Sequence, residues 1–168
     1  FLFSTIWGIS SQESIGLVFN DQNKEKSAGY TLFTSISDNR VFLIDNCGEV
    51  VKEWNSDWGN APNRRSRMVY LLENGNLLVG SGLDIEIRDW DNNVVWGINY
   101  QETFGFRIHH DIEPLPNGNI LILVRETFTN TEMFAQGMNV SYPEDTFVLE
   151  RIIEIEPIGT DSANIVWE

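Results

Sequence analysis

Residues 70–78 (YLLENGNLL) and 112–121 (IEPLPNGNIL) carry one phrase twice, with Asn74-Gly75 and Asn117-Gly118 standing 43 residues apart. Each phrase is a hydrophobic run, a tight turn and a second hydrophobic run. Asn and Gly tolerate the positive φ angles that a two-residue hairpin turn requires. The spacing therefore predicts a repeat fold built from hairpins.

A second phrase closes each repeat. It reads GEVVKEW at 48–54, NNVVW at 92–96 and ANIVW at 163–167. The third copy arrives late, which predicts an insertion at about 127–146, with one helical turn at 132–137 capped by its glycine. Units of forty-odd residues with about four short strands and a Trp near the end are typical of β-propeller blades.

The length limits the number of blades. Residues 28–168 hold about three units, whereas propellers close with about four to eight. We therefore expect an all-β chain whose residues 28–168 form a partial β-propeller domain of about three blades, a piece of an incomplete propeller. The alternative is a self-contained β-sandwich of about ten strands, which the length also permits.

The first eleven residues, FLFSTIWGISS, resemble the end of an apolar signal-peptide core followed by the small residues of a cleavage site. An ordinary edge strand is the other reading. On the first reading, residues 1–11 are a signal remnant, 12–27 are a lead-in, and the protein is exported, either periplasmic or secreted. No stretch is long and apolar enough for a membrane-spanning helix.

Composition restricts the partners. Twenty-five acidic side chains against 11 basic ones give a net charge of −14, which repels long polyanions and argues against nucleic acid. The one basic cluster, RRSR at 64–67, would either meet a small anion or stand solvated. Residues 89–93 begin like a calcium loop, but Val94 replaces the required Gly, so we expect a hairpin and no metal. No motif predicts a cofactor.

The two histidines of the chain are adjacent, in His109-His110-Asp111, at the start of the predicted inner strand of the third repeat. Neighbouring strand residues point to opposite faces, so one imidazole can enter a central funnel while the other packs within the blade. In a regular strand Asp111 lies on the side of His109 and could fix its tautomer. We expect His110 to be the open ring, although a purely structural pair is equally compatible with the sequence.

Six segments resemble, in family order, the opening of the arylsulfate sulfotransferases: 31–33, 41–56, 70–78, 109–119, 153–157 and 165–168. The resemblance covers about residues 28–168. It implies a six-bladed, exported propeller that moves a sulfuryl group from an aryl sulfate to a phenol without a nucleotide donor. Histidines and an arginine line the funnel of such enzymes, and one histidine is transiently sulfated. The resemblance places that histidine and the arginine in later blades, so this chain would be the N-terminal part of the enzyme and need not be active alone.

The resemblance also implies the roles of individual residues. His110 and His109 become the catalytic candidates, with Asp111 and Arg125 as substrate-binding residues. Arg125-Glu126 stands where relatives often carry an aromatic residue, so the rim of the site would differ here. A non-catalytic exported propeller that binds glycan or protein remains the alternative, because a fold does not fix a function.

Overall fold

The computed structural model describes residues 29–34, 40–55, 68–139 and 145–168, which form three antiparallel sheets of consecutive strands. The first sheet contains β1 (Thr31–Thr34), β2 (Arg40–Ile44) and β3 (Val50–Asn55). The second contains β4 (Met68–Leu71), β5 (Leu77–Gly80), β6 (Asp84–Arg88) and β7 (Val94–Asn99). The third contains β8 (Arg107–Pro114), β9 (Ile120–Thr129), β10 (Thr146–Ile158) and β11 (Ser162–Trp167).

Two short helices accompany the sheets. Helix α1 (Tyr100–Phe104) joins β7 to β8, and α2 (Asn130–Ala135) joins β9 to β10. The all-β prediction is confirmed, and the described residues form three separate meanders rather than the two packed sheets of a sandwich. The expected signal remnant at 1–11, the lead-in at 12–27 and the basic cluster at 64–67 lie outside the described residues.

The two Asn-Gly turns are equivalent, as the repeat predicts. In the β4–β5 hairpin, the Leu72 N–H donates to Asn76 O (2.8 Å) and the Gly75 N–H to Leu72 O (2.9 Å). In the β8–β9 hairpin, the Leu115 N–H donates to Asn119 O (2.8 Å) and the Gly118 N–H to Leu115 O (3.0 Å). Both glycines have positive φ, 84° and 90°, whereas Asn74 and Asn117 do not. The predicted two-residue turn with positive φ at both positions is therefore wrong, and each hairpin has a three-residue loop that ends on the left-handed glycine. One turn chemistry therefore builds both hairpins.

Apolar side chains pack between successive sheets. The larger core, between the second and third sheets, includes Ile85, Ile112 and Ile153, all fully buried. Each such side chain contributes roughly 1.5–3 kcal/mol through burial. A smaller cluster joins the first and second sheets through residues that include Val41 and Leu77.

Two tryptophans fasten these interfaces with hydrogen bonds. Trp54 Nε1–H donates to Asp89 O (3.0 Å), and Trp96 Nε1–H donates to Ser162 O (2.8 Å). Trp90 and Trp167 recur with the repeat but are 45% and 56% exposed. The recurrence of these tryptophans predicts packing between units, which is confirmed for Trp54 and Trp96. Although partly exposed, Trp90 also contacts Trp54 of the first sheet edge to face, with ring centroids 5.3 Å apart.

Residues 84–90 alternate charged and apolar side chains, a pattern that predicts Ile85 and Ile87 on one face of β6 and charged residues on the other. Arg88 belongs to the charged face, yet it is only 2% exposed. Its guanidinium bonds Glu86 and the backbone carbonyls of Asn55 and Asn92, so the charge is paired within the junction of the first two sheets. The face is buried because the first sheet covers it.

The predicted insertion is partly strand. Strand β9 continues to Thr129 and β10 begins at Thr146, so the late third repeat is mainly a longer hairpin. Helix α2 lies two residues earlier than predicted, because Thr129 and Glu132 form a capping box, and Gly137 follows it with φ 95°. Helix α1 was not predicted.

Candidate functional site

Strand β8 leaves its regular ladder at the histidines. Ile108 pairs with Val124 and Ile112 with Ile122, so the three residues 109–111 stand opposite the single residue Leu123. Within this bulge His110 has a φ of 73°, a left-handed conformation that is uncommon for residues other than glycine. Bulges re-aim side chains, and the strict alternation assumed from the sequence does not hold here.

A pocket of about 260 Å³ opens beside the bulge. Its lining comes from the second and third sheets and comprises Met68, Gly82, Arg107, Ile108, His109, His110 and Arg125. His110 is exposed, and the His109 side chain is 25% exposed. The two imidazole rings lie 4.3 Å apart, centroid to centroid. The fold thus brings His109, His110 and Arg125 together in one pocket.

Arg107 is a site residue that the sequence analysis missed. It lies two residues before His109 and directly opposite Arg125 in the β8–β9 register. The spacing i, i+2 from a candidate histidine was the available signal, because such residues share a face of a regular strand. Like charges directly opposite on paired strands destabilise a sheet, so this arrangement is costly without an anion between the two groups.

The other described arginines are neutralised by carboxylates. Arg40 pairs with Glu53, Arg88 with Glu86, and Arg151 with Glu126 and Glu168. Neither Arg107 nor Arg125 has a carboxylate within ion-pair distance in the described part of the chain. The pocket therefore concentrates positive charge in a protein whose net charge is −14.

Glu150 on β10 takes the place expected for Asp111. Its Oε1 lies 2.6 Å from Nδ1 of His109. Asp111 is exposed, and its Oδ1 instead accepts from its neighbour's N–H, that of Ile112 (3.0 Å), and from the Tyr70 hydroxyl (3.4 Å). The predicted support of His109 by Asp111 is therefore wrong, because the bulge turns that carboxylate toward the second sheet.

Tyr70 links the second sheet to the bulge. Partial burial, and then the charges of Asp111 and Glu113, raise the pKa of its phenol to about 12. The hydroxyl therefore keeps its proton at neutral pH and serves as a donor to Asp111.

The set of groups around the pocket fits an anionic ligand. Two guanidinium groups can bind oxygen atoms that carry negative charge, and two imidazoles can move protons. No group of three or more His, Cys, Asp or Glu side chains suited to a metal ion occurs among residues 29–34, 40–55, 68–139 and 145–168. In that part of the chain neither helix has the length and apolarity needed to cross a membrane.

The hairpin at 89–93 is not part of this site. The Asp89 carboxylate accepts from the Asn93 N–H (2.8 Å) and from its side-chain amide (2.9 Å), and these bonds lower the pKa of Asp89. The segment is thus the hairpin turn expected from the sequence.

Comparison with known proteins gives one match. No curated protein and no solved structure is significantly similar to the chain. The model of the family described as Arylsulfotransferase (ASST) matches residues 14–160, most of the chain and all the residues that line the pocket. The protein belongs to the arylsulfotransferase family.

Proposed function

We propose that the pocket binds an aryl sulfate and transfers its sulfuryl group to a phenol without a nucleotide sulfate donor. The observation that carries this proposal is the pair of unneutralised arginines, Arg107 and Arg125, beside His109 and His110. Family membership supports the same chemistry.

The pocket suits the sulfuryl end of such a substrate. A sulfate monoester carries one negative charge spread over three oxygens, and guanidinium groups bind such oxygens through charge-assisted hydrogen bonds. Pockets that enclose whole drug-sized ligands measure about 300–1,000 Å³. A volume of about 260 Å³ accepts the sulfate group and leaves the aryl ring toward solvent.

The reaction needs one net proton movement. The bond between sulfur and the donor oxygen breaks, a bond from sulfur to the acceptor oxygen forms, and the acceptor's proton replaces the sulfuryl group on the donor. We assign this proton to His110, whose exposed ring lines the pocket. The arginines would stabilise the negative charge that develops on the transferring group.

The same proposal includes the propeller arrangement. The first strand of each sheet contacts the first strand of the following sheet. Strand β1 contacts β4, and β4 contacts β8. A propeller requires such neighbours, because the inner strands of its blades surround one axis. The pocket takes Met68 from β4 and Arg107 to His110 from β8, which supports a site near that axis. Export belongs to the proposal as well and rests on residues 1–11.

Transfer assays test the proposed activity. The full-length protein that contains these residues is incubated with 4-nitrophenyl sulfate, with and without a phenolic acceptor such as naphthol. We expect nitrophenol to appear together with sulfated naphthol, and Arg40→Gln, which changes an arginine remote from the pocket lining, to leave the rate unchanged. Saturable binding of the aryl sulfate without any transfer would refute the enzyme and favour a propeller that only binds.

A further inference from the structure

The contact between Glu150 and His109 crosses an entire strand. His109 lies on β8 and Glu150 on β10, with β9 between them. Neighbouring strands lie about 4.8 Å apart, so the two backbones are separated by roughly twice that distance. The side chains nevertheless approach to 2.6 Å over the face of β9. The bulge at 109–111 lets His109 lean toward β10.

Glu150 has a closer cation available and does not pair with it. Arg125 stands directly opposite Glu150 in the β9–β10 register, yet the carboxylate reaches His109 instead. Asp111, the acid nearest in sequence, bonds Tyr70. Among the described residues His109 has a carboxylate partner, whereas the ring of His110 has none. The two neighbouring imidazoles are therefore supported differently.

A carboxylate beside one ring nitrogen determines which nitrogen of a neutral imidazole keeps the proton. We propose that Glu150 is a positioning residue: it holds the proton of His109 on Nδ1, fixes the ring, and leaves the Nε2 lone pair as the one available to the pocket. The consequence for catalysis rests on the proposed function. His109 then serves as a fixed lone-pair donor or proton acceptor, while His110 exchanges protons with the substrate.

The contact between Glu150 and His109 is short but is not a finished hydrogen bond. The carboxylate lies beside the direction of the Nδ1–H bond, so the distance is short while the alignment is poor. Catalytic hydrogen bonds are often misaligned without substrate and become aligned in the complex.

Nitrogen-detected NMR of the histidine rings tests the proposal without an activity measurement. The whole protein is labelled with ¹⁵N-histidine and recorded at a pH where both rings are neutral, with His110→Gln used to assign the signals. In the wild type, His109 is expected as the Nδ1–H tautomer. Glu150→Ala should move it to a mixture of tautomers, and Glu150→Gln, which still accepts a hydrogen bond, should largely restore it.

Glu156→Ala is the matched control, because Glu156 lies on the same strand, points to the same face and is exposed. It should leave the His109 signals unchanged. In transfer assays Glu150→Ala should lower kcat by roughly tenfold to a hundredfold with little change in KM, the scale seen for outer partners of metal-bound histidines.

An Nε2–H tautomer in the wild type, or an unchanged tautomer in Glu150→Ala, overturns the proposal. The wild-type spectrum decides the question even if the alanine variant does not fold. Absence of transfer activity in the wild type refutes the proposed function, while the NMR result still decides the role of Glu150.

Discussion

The second and third sheets are built on one plan and differ in their first strands. Both are four-stranded meanders that begin with a hairpin closed by the same Asn-Gly turn. Strand β4 pairs in regular register over its four residues, whereas the eight-residue β8 is interrupted by the bulge at 109–111. The residues proposed for catalysis lie in or beside that interruption. The repeat supplies the scaffold, and its local departure supplies the chemistry.

The same contrast between scaffold and candidate site appears at two residues whose backbone is left-handed. Asn92 and His110 are the non-glycine residues with positive φ in the described ranges, at 71° and 73°. The Asn92 amide bonds the backbone of Asn55 in both directions (3.1 and 3.3 Å), so its conformation joins the first and second sheets. The His110 ring makes no hydrogen bond within those ranges. A strained backbone conformation whose side chain makes no stabilising contact is characteristic of functional sites.

The largest effect should come from His110. Replacing it by alanine should lower kcat/KM for 4-nitrophenyl sulfate by about two orders of magnitude or more, the scale of a lost general acid or base. Its exposed ring stabilises little, so the thermal unfolding midpoint should stay within a few degrees. Asn92→Ala is the contrasting variant, with lower stability and an unchanged rate. Normal turnover in His110→Ala would leave the histidine pair without a catalytic role.

The second largest effect should come from the two arginines of the pocket. Arg107→Gln and Arg125→Gln should each weaken binding of an aryl sulfate by about tenfold or more, because a hydrogen bond to a charged group contributes about 1.5–3 kcal/mol. Each change also removes repulsion between the two guanidinium groups, so neither should destabilise the sheet. Calorimetric titration with the aryl sulfate measures the affinity, and Arg40→Gln serves as control. Unchanged affinity in both variants would show that the pocket does not hold the anion.

The two hairpins should respond equally to the same change. A Cβ added at Gly75 or Gly118 meets no atom within 4 Å, so Gly75→Ala and Gly118→Ala suffer only the penalty of a left-handed alanine, about 1 kcal/mol each. Urea unfolding of the two variants measures it. Costs that differ by more than about 1 kcal/mol would mean that the two turns are not energetically equivalent.

The smallest expected effect is on stability. Replacement by glycine should change the free energy of unfolding in opposite directions at His110 and at Asn92. His110→Gly relieves the left-handed conformation and should raise the free energy of unfolding by a few tenths of a kcal/mol, the part of the relief that glycine's greater entropy does not cancel. Asn92→Gly removes the bonds to Asn55 and should lower it by about 1 kcal/mol. Equilibrium unfolding of both variants measures the pair. Stabilisation by Asn92→Gly would remove the distinction drawn between them.

Most of the fold could be predicted from patterns among residues that are close together in the sequence. Gly75 and Gly118 indicated their turns because tolerance of positive φ is a property of glycine itself. Helix α1 was missed although its signal was local too, since the Asn99 side chain accepts from the Glu102 N–H and Gly105 ends the helix with φ 79°. That short motif lies in the connection between two repeats, where the sequence pattern predicted no helix.

Sequence by itself determined the three meanders, their turns and the histidine pair as the place to look, because periodicity and turn chemistry act between near neighbours in the chain. Tertiary structure alone decided the partners within the site. Arg107 meets Arg125 only through the register of β8 on β9, and Glu150 reaches His109 only because β10 folds back beside β9. Pairings between residues 18 and 41 positions apart depend on how the sheet assembles, and no local propensity encodes them.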